Sequence, residues 1–218
     1  MKYKPIKDLE VASKLPYFSK ILVDGAPGTG KTELVILRIK DLLENQNLPP
    51  SSILVLSYTR NAIQELEKRF RRIFKNSKSN WYYSIRIQTF DKFSWYLLNN
   101  IFEKEVKIND NDFDACIQKT TESMIKSDSE SEKMMNEFLS TIKHIIIDEV
   151  QDLCFERAMF VQQIIDKLRN QGQKWGFTML GDQFQEIFSF LQKLKAGTEI
   201  EGIFPRSKKF INWIEKIS

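Results

Sequence analysis

Between the apolar run KILV and the helix-like ELVILRIKDLLE the chain carries DGAPGTGKT, residues 24–32, and no other stretch constrains the fold as tightly. Three of the chain's eight glycines fall in it. Gly25, Gly30, Lys31 and Thr32 satisfy G-x-x-x-x-G-K-[ST], with Gly28 as a further permissive position. The motif needs a strand before it and a helix after it, and the flanking patterns supply both. Glycines let successive backbone N–H groups turn inward with no Cβ in the way, as an anion nest at a helix N-terminus. Gly25, Ala26, Pro27, Gly28, Thr29, Gly30, Lys31 and Thr32 therefore read as a loop that wraps a nucleoside triphosphate. In such a loop Lys31 reaches the β- and γ-phosphates and the Thr32 hydroxyl binds Mg²⁺. The competing reading is a glycine-rich turn that matches by chance, and the strand and helix around it argue against that.

A phosphate-binding loop of this kind needs an acid for the metal at the end of a neighbouring strand. HIIIDEVQD, residues 144–152, provides one. Asp148 ends the apolar run and is expected to hold Mg²⁺ through water. Glu149 follows it, in position to polarise the attacking water as general base. Capping of the next helix is the plainer role for a carboxylate here, and it suits Asp152 better than the other two. Two separate halves of one site argue for hydrolysis over storage of nucleotide.

Five short β-branched or apolar runs recur, at residues 20–24, 52–57, 84–89, 144–148 and 177–181, each short enough to be a strand buried on both faces. Helical periodicity separates them. Leu34, Leu37, Ile39, Leu42 and Leu43 share a face over residues 33–44, and Ile63, Leu66, Phe70 and Phe74 do so over 60–75. Phe160, Ile164, Ile165 and Leu168 repeat the pattern over 156–169. Strands alternating with helices imply an α/β fold with a mainly parallel sheet flanked by helices. Residues 99–142 break the alternation, with polar helical patterns and the acidic KSDSESEK, and read as a small helical insertion.

With 218 residues, 42% of them apolar and 28% charged, the chain has ample material for a globular core. No apolar run approaches the roughly 20 residues needed to cross a bilayer, and MKYKPIKDLE lacks the apolar segment of a secretory signal. A cytoplasmic protein without a membrane partner is expected. Cys116 and Cys154 have no metal-ligand spacing and read as free thiols in a reducing compartment. His144 is the sole histidine, opens an apolar strand and reads as structural, which excludes a histidine triad or a multi-histidine metal site. The net charge of +4 hints only weakly at polyanions. KRFRRIFKNSK, residues 68–78, concentrates basic side chains, first as a solvated helix face and alternatively as a track for phosphates.

Five ordered stretches carry a family resemblance. DEVQD resembles the D-E-x-Q-D motif of the UvrD/Rep-like superfamily-one DNA helicases. LSYTRNAIQEL (56–66) is similar to that family's T-F-T-N-K-A-A stretch, and QTFDKFSWYLL (88–98) to its G-T-F-H-S-F stretch. LGDQFQEIFSF (180–190) resembles V-G-D-x-x-Q-S-I-Y-x-W, and FPRSKKFINWI (204–214) faintly resembles N-Y-R-S-x-x-x-I. The resemblance implies a RecA-like P-loop NTPase over 1–98 and 143–203. It makes 99–142 a reduced accessory subdomain and 204–218 a C-terminal helix that could start a second motor domain. It implies ATP and Mg²⁺ as cofactors, with Gln151 and Gln185 at the γ-phosphate and attacking water. Asp182 then lies near Mg²⁺, and Arg206 is a γ-phosphate sensor. Tyr58, Thr59, Thr89, Phe90 and Phe93 fall where the family contacts single-stranded DNA, and Phe190 stands for its base-stacking Trp. Core packing is the competing reading for each aromatic, and with 16 Phe in the chain it holds for most of them. An aromatic face accepts any base, which suits a motor that ignores sequence.

The departures are specific. Residues 1–19 contain no Gln to read adenine, Leu191 stands where an Arg is expected, and Phe204-Pro205 replace Asn-Tyr. The family's second motor domain, with its arginine finger and second DNA grip, has no counterpart within residues 1–218. The chain therefore reads either as a fragment of a longer motor or as a stand-alone short relative, with a partner subunit as an alternative source of that domain. The implied function is an ATP-hydrolysing helicase domain, coupled to single-stranded DNA and not expected to unwind duplex alone. The alternative is a nucleotide-gated module that binds DNA or protein with little turnover. A kinase or small-molecule P-loop enzyme leaves DEVQD and GDQFQ unexplained.

Overall fold

A computed structural model describes residues 9–26, 28–74, 84–102, 113–153 and 155–181. Its strands are β1 (Lys20–Asp24), β2 (Ile53–Ser57), β3 (Arg86–Thr89), β4 (His144–Ile147) and β5 (Gly176–Gly181). Its helices are α1 (Leu9–Ser13), α2 (Lys31–Glu44), α3 (Arg60–Phe74), α4 (Phe90–Asn100), α5 (Phe113–Ile125), α6 (Ser129–Ser140) and α7 (Phe155–Asn170). The strands form one sheet in the order β1-β5-β4-β2-β3, and every neighbouring pair is parallel. The α/β architecture read from the alternation is the one observed.

Side-chain alternation along the strands divides the core in two. From β2, Leu54 and Leu56 face one hydrophobic cluster while Ile53 and Val55 face the other; from β4, Ile145 and Ile147 oppose Ile146. The period of two sends successive side chains to opposite sides. A near-continuous apolar run is therefore what a central strand covered on both faces shows. One cluster takes its helical side chains from α4, α5, α6 and α7, the other from α1, α2 and α3. A fully buried apolar side chain stabilises by roughly 1.5–3 kcal/mol, so this double layer is the main force holding the sheet.

Two expectations change in detail. β1 and β3 are only partly buried, because they are the outer strands of the sheet. In α2, Leu37 is half-exposed, whereas Val35, Ile36 and Arg38 are buried along with Leu34, Ile39, Leu42 and Leu43. That helix is covered on more of its circumference than a single apolar stripe suggests, since α1 and α3 also pack on it. Residues 99–142 contain α5 and α6, and Cys116, Ile117, Met124, Met135 and Leu139 from these helices join the same cluster as the sheet.

Candidate active site

In a parallel sheet all strands end at one edge, and ligands bind there, beside the helix N-termini. At this edge β1 runs into the glycine-rich loop. Gly28 and Gly30 have φ of +80° and +92°, left-handed backbone that glycine adopts without a Cβ penalty. Thr29 closes the loop by donating from Oγ1 to Ala26 O at 2.7 Å. Gly30 is the N-cap of α2, and its carbonyl accepts from Leu34 N at 2.9 Å. Lys31 Nζ donates to Gly25 O at 2.8 Å, so its ammonium lies back across the loop. Lys31 and Thr32 are both half-buried at the first turn of the helix, where the dipole favours an anion.

β5 and β4 bring the second half. Gly25 N donates to Gly181 O at 3.0 Å, and Asp24 is paired in register with Gly181. A Cβ on Gly181 would stand 2.6 Å from Val150 Cγ2 and 3.0 Å from Gln151 Oε1. The end of β5 is thus pressed against the turn that follows β4. In that turn Asp148 is buried, and its backbone N–H donates to Leu56 O at 3.0 Å. Glu149 takes φ +54° and ψ +49° at the head of a 3-10 turn, Val150–Asp152. A non-glycine residue there is strained, and such strain marks sites where side-chain direction matters. Gln151 Nε2 donates to Glu149 Oε2, fixing that carboxylate.

The electrostatics tie the halves together. Burial, and then the Glu149 charge, push the Asp148 carboxyl up to about 6; the hydrogen bond from Glu149 N and the charge of Lys31 pull the other way. Asp152 is raised by burial and by Glu149, again against Lys31. Lys31 therefore acts on carboxylates more than a hundred residues away in the chain. The oxygens of a buried acid beside a second acid are ligands of the kind a hard cation takes, while the Lys31 ammonium, which has no lone pair for a metal, suits phosphate oxygens. Thr32 and Asp148 fit Mg²⁺ on that chemistry.

The ends of β2 and β3 continue the edge. Thr59 Oγ1 accepts from Ala62 N at 3.1 Å, and Thr89 Oγ1 from Lys92 N at 3.3 Å, so both threonines are helix N-caps. Tyr58 is 37% exposed. Phe90 is a correction and Phe93 follows the core-packing reading: both rings are wholly buried in the core, because α4 turns its apolar face to the sheet, so neither ring is presented to DNA. In α3, Arg69 and Arg71 pair with Glu65 and Glu67 one turn back on an exposed face. Pro27, Cys154, Asp182, Gln185, Phe190, Leu191, Phe204, Pro205 and Arg206 lie outside the described residues, as do Lys75 and Lys78.

Sequence reasoning missed Arg157. Its guanidinium spans Asp91 at 2.7 Å and Asp114 at 2.6 Å and lies 5.0 Å from the centre of the Tyr58 ring. The available signal was a basic residue on the helical stripe of Val161, Ile164 and Leu168, where burial is otherwise apolar.

The family model for the UvrD/REP helicase N-terminal domain matches residues 8–128 and 101–196. The chain is 24% identical over 255 residues to the mitochondrial ATP-dependent DNA helicase HMI1 of Saccharomyces cerevisiae, covering 87% of this chain and 35% of that protein. It is 32% identical over 72 residues to a probable DNA helicase II homolog of Mycoplasma capricolum, covering 33% of this chain and 10% of that one. Over 103 residues it is 26% identical to the RecBCD enzyme subunit RecB of Borreliella burgdorferi, 42% of this chain and 9% of the relative. The chain therefore spans about a third or less of these relatives.

Proposed function

The chain belongs to the UvrD/REP helicase N-terminal domain family, and on that premise we propose that it binds and hydrolyses ATP with Mg²⁺ and couples nucleotide state to single-stranded DNA. One observation carries the reading. The loop after β1, the end of β5 and the acidic turn after β4 are hydrogen-bonded or packed into one cluster, within which the Lys31 charge reaches Asp148 and Asp152.

Within this reading the backbone of residues 25–30 cradles the phosphates, and Lys31 exchanges its Gly25 carbonyl for phosphate oxygens. Thr32 and Asp148 are the residues that would hold Mg²⁺, which supplies neutralisation of phosphate charge when bound. Glu149 accepts the proton of the attacking water, and Gln151 keeps its carboxylate aimed. The exposed Tyr58 and the caps Thr59 and Thr89, on the adjoining strand ends, are the proposed DNA contacts. Turnover by these 218 residues alone is slow, because an arginine from a second domain or a partner can be worth ~10³ or more in rate.

The test is ATP turnover with and without a single-stranded oligonucleotide. Lys31→Ala should abolish hydrolysis, and Glu149→Gln should retain ATP binding while losing turnover. Stimulation by the oligonucleotide supports the motor-domain reading. Tight nucleotide binding with no stimulation would instead favour a gated binding module.

A further inference from the structure

We infer that Arg157 is a positioning residue for single-stranded DNA, holding the Tyr58 ring as a base-stacking face and offsetting the negative charge of Asp91 and Asp114 beneath it. This rests on the DNA-binding half of the proposed function. Arg157 enters from the first turn of α7, Asp91 from the first turn of α4 and Asp114 from the first turn of α5. One guanidinium thus joins three helix starts to the residue that follows β2. Its geometry is a fork: Nη2 donates to Asp91 Oδ1 at 2.7 Å and Nη1 to Asp114 Oδ1 at 2.6 Å. Its Cζ lies 5.0 Å from the Tyr58 centroid, within cation–π range. The Arg157 side chain is 8% exposed, whereas those of Asp91 and Asp114 are 24% and 53% exposed.

Two consequences follow from that arrangement. Tyr58 is 37% exposed, and its ring rests on a planar cation that is itself locked by two carboxylates. A ring held this way meets a base with little rotamer freedom left to lose. The second consequence concerns charge. Two aspartates beside the path of a polyanion repel it, and Arg157 reduces that pair to a single net negative charge. Lysine can keep the charge but not the two-pronged geometry or the planar contact with the ring.

The experiment is fluorescence anisotropy of a labelled oligothymidylate with the 218-residue chain, using magnesium–ATP affinity to check that each variant is folded. Arg157→Met should weaken oligonucleotide binding about tenfold, the scale of losing one stacked base, and Arg157→Lys should fall between it and the wild type. The losses from Tyr58→Ala and Arg157→Met should combine to less than their sum, because Arg157 acts in part through the ring. Adding Asp91→Asn and Asp114→Asn to Arg157→Met should recover part of the affinity, more at low salt than at high. Should Arg157→Met fail the folding check, Arg157→Lys carries the test against Tyr58→Ala in the same way. Wild-type affinity in the Arg157 variants, or strictly additive losses, would overturn the inference while leaving DNA binding intact. A wild-type chain that does not bind the oligonucleotide would overturn both this inference and the DNA half of the proposed function.

Discussion

Arg38 has no exposed surface, and its guanidinium donates to the carbonyls of Ser13, Leu15 and Pro16. Burial lowers its pKa to about 10 against the pull of Asp41, so it stays charged at neutral pH. Those carbonyls belong to the end of α1 and the turn after it, and α1 in turn brings Leu9 against Gly30 of the phosphate loop. Arg38→Met should therefore cost about 3 kcal/mol, the scale of stranding buried polar partners, read as a lower denaturant midpoint. His144 lies in the same region, between Tyr17 O at 2.6 Å and Thr178 Oγ1 at 3.0 Å. Burial first, then the Arg38 charge, push it down to about 3 despite the Tyr17 carbonyl. Its folded pKa is depressed, so the neutral ring contributes full stability above the unfolded value of 6.5, and that stability is lost as pH falls toward 3. The slope is about 1.4 kcal/mol per pH unit over that window. As the sole histidine, its ring proton in NMR should not shift between about pH 7.5 and 5; a midpoint near the ordinary value would contradict the buried assignment. Neither arginine partner set was legible in the sequence. Arg38 stands four residues from both Leu34 and Leu42, and its position on that stripe signals burial without saying which carbonyls receive it.

At the scale of elements, the strands were readable because central parallel strands are near-continuous apolar runs, and β2 and β4 are buried throughout and apolar at every position but Ser57 and His144. The stripe of α3 was readable because Ile63, Leu66, Phe70 and Phe74 keep helical spacing on an otherwise charged helix. Strand order was not readable, since no local pattern says that β5 inserts between β1 and β4. The fate of Phe90 was hidden for a related reason. A motif aromatic and a core aromatic look alike in sequence, and only packing of α4 on the sheet separates them. Contact between the end of β5 and the acidic turn yields a prediction at this scale. Gly181→Ala introduces a Cβ 2.6 Å from Val150 Cγ2, so the turn bearing Glu149 and Gln151 must shift. A stability loss of about 1–3 kcal/mol is expected for such overpacking, with weaker nucleotide binding. An unchanged thermal midpoint and ATP affinity would show that the turn is not held by β5.

Across the whole molecule, the strand order divides the functional edge. β1, β5 and β4 end at the proposed nucleotide site, while β2 and β3 end at the proposed DNA contacts, and β4 is hydrogen-bonded to both β5 and β2. Asp148 N donates to Leu56 O, one residue before Ser57 and two before Tyr58, which is a short covalent and hydrogen-bonded route between the two ends. Directed movement needs two grips whose separation changes with nucleotide state, and the one sheet formed by the described residues offers one. The isolated 218 residues should therefore show no strand displacement on a tailed duplex, even where ATP turnover is measurable; robust unwinding would overturn that expectation. The central claim is that the loop at residues 25–32 and the carboxylates at 148 and 149 surround one metal-bound nucleotide. Calorimetric titration of the chain with ATP, in Mg²⁺ and in EDTA, for the wild type and Asp148→Asn, tests it most directly. The account predicts that chelation and Asp148→Asn each weaken ATP binding about tenfold or more, as losing a charged ligand partner does, and that the two losses do not add. ATP binding of equal strength with and without the metal, and in both proteins, would contradict it.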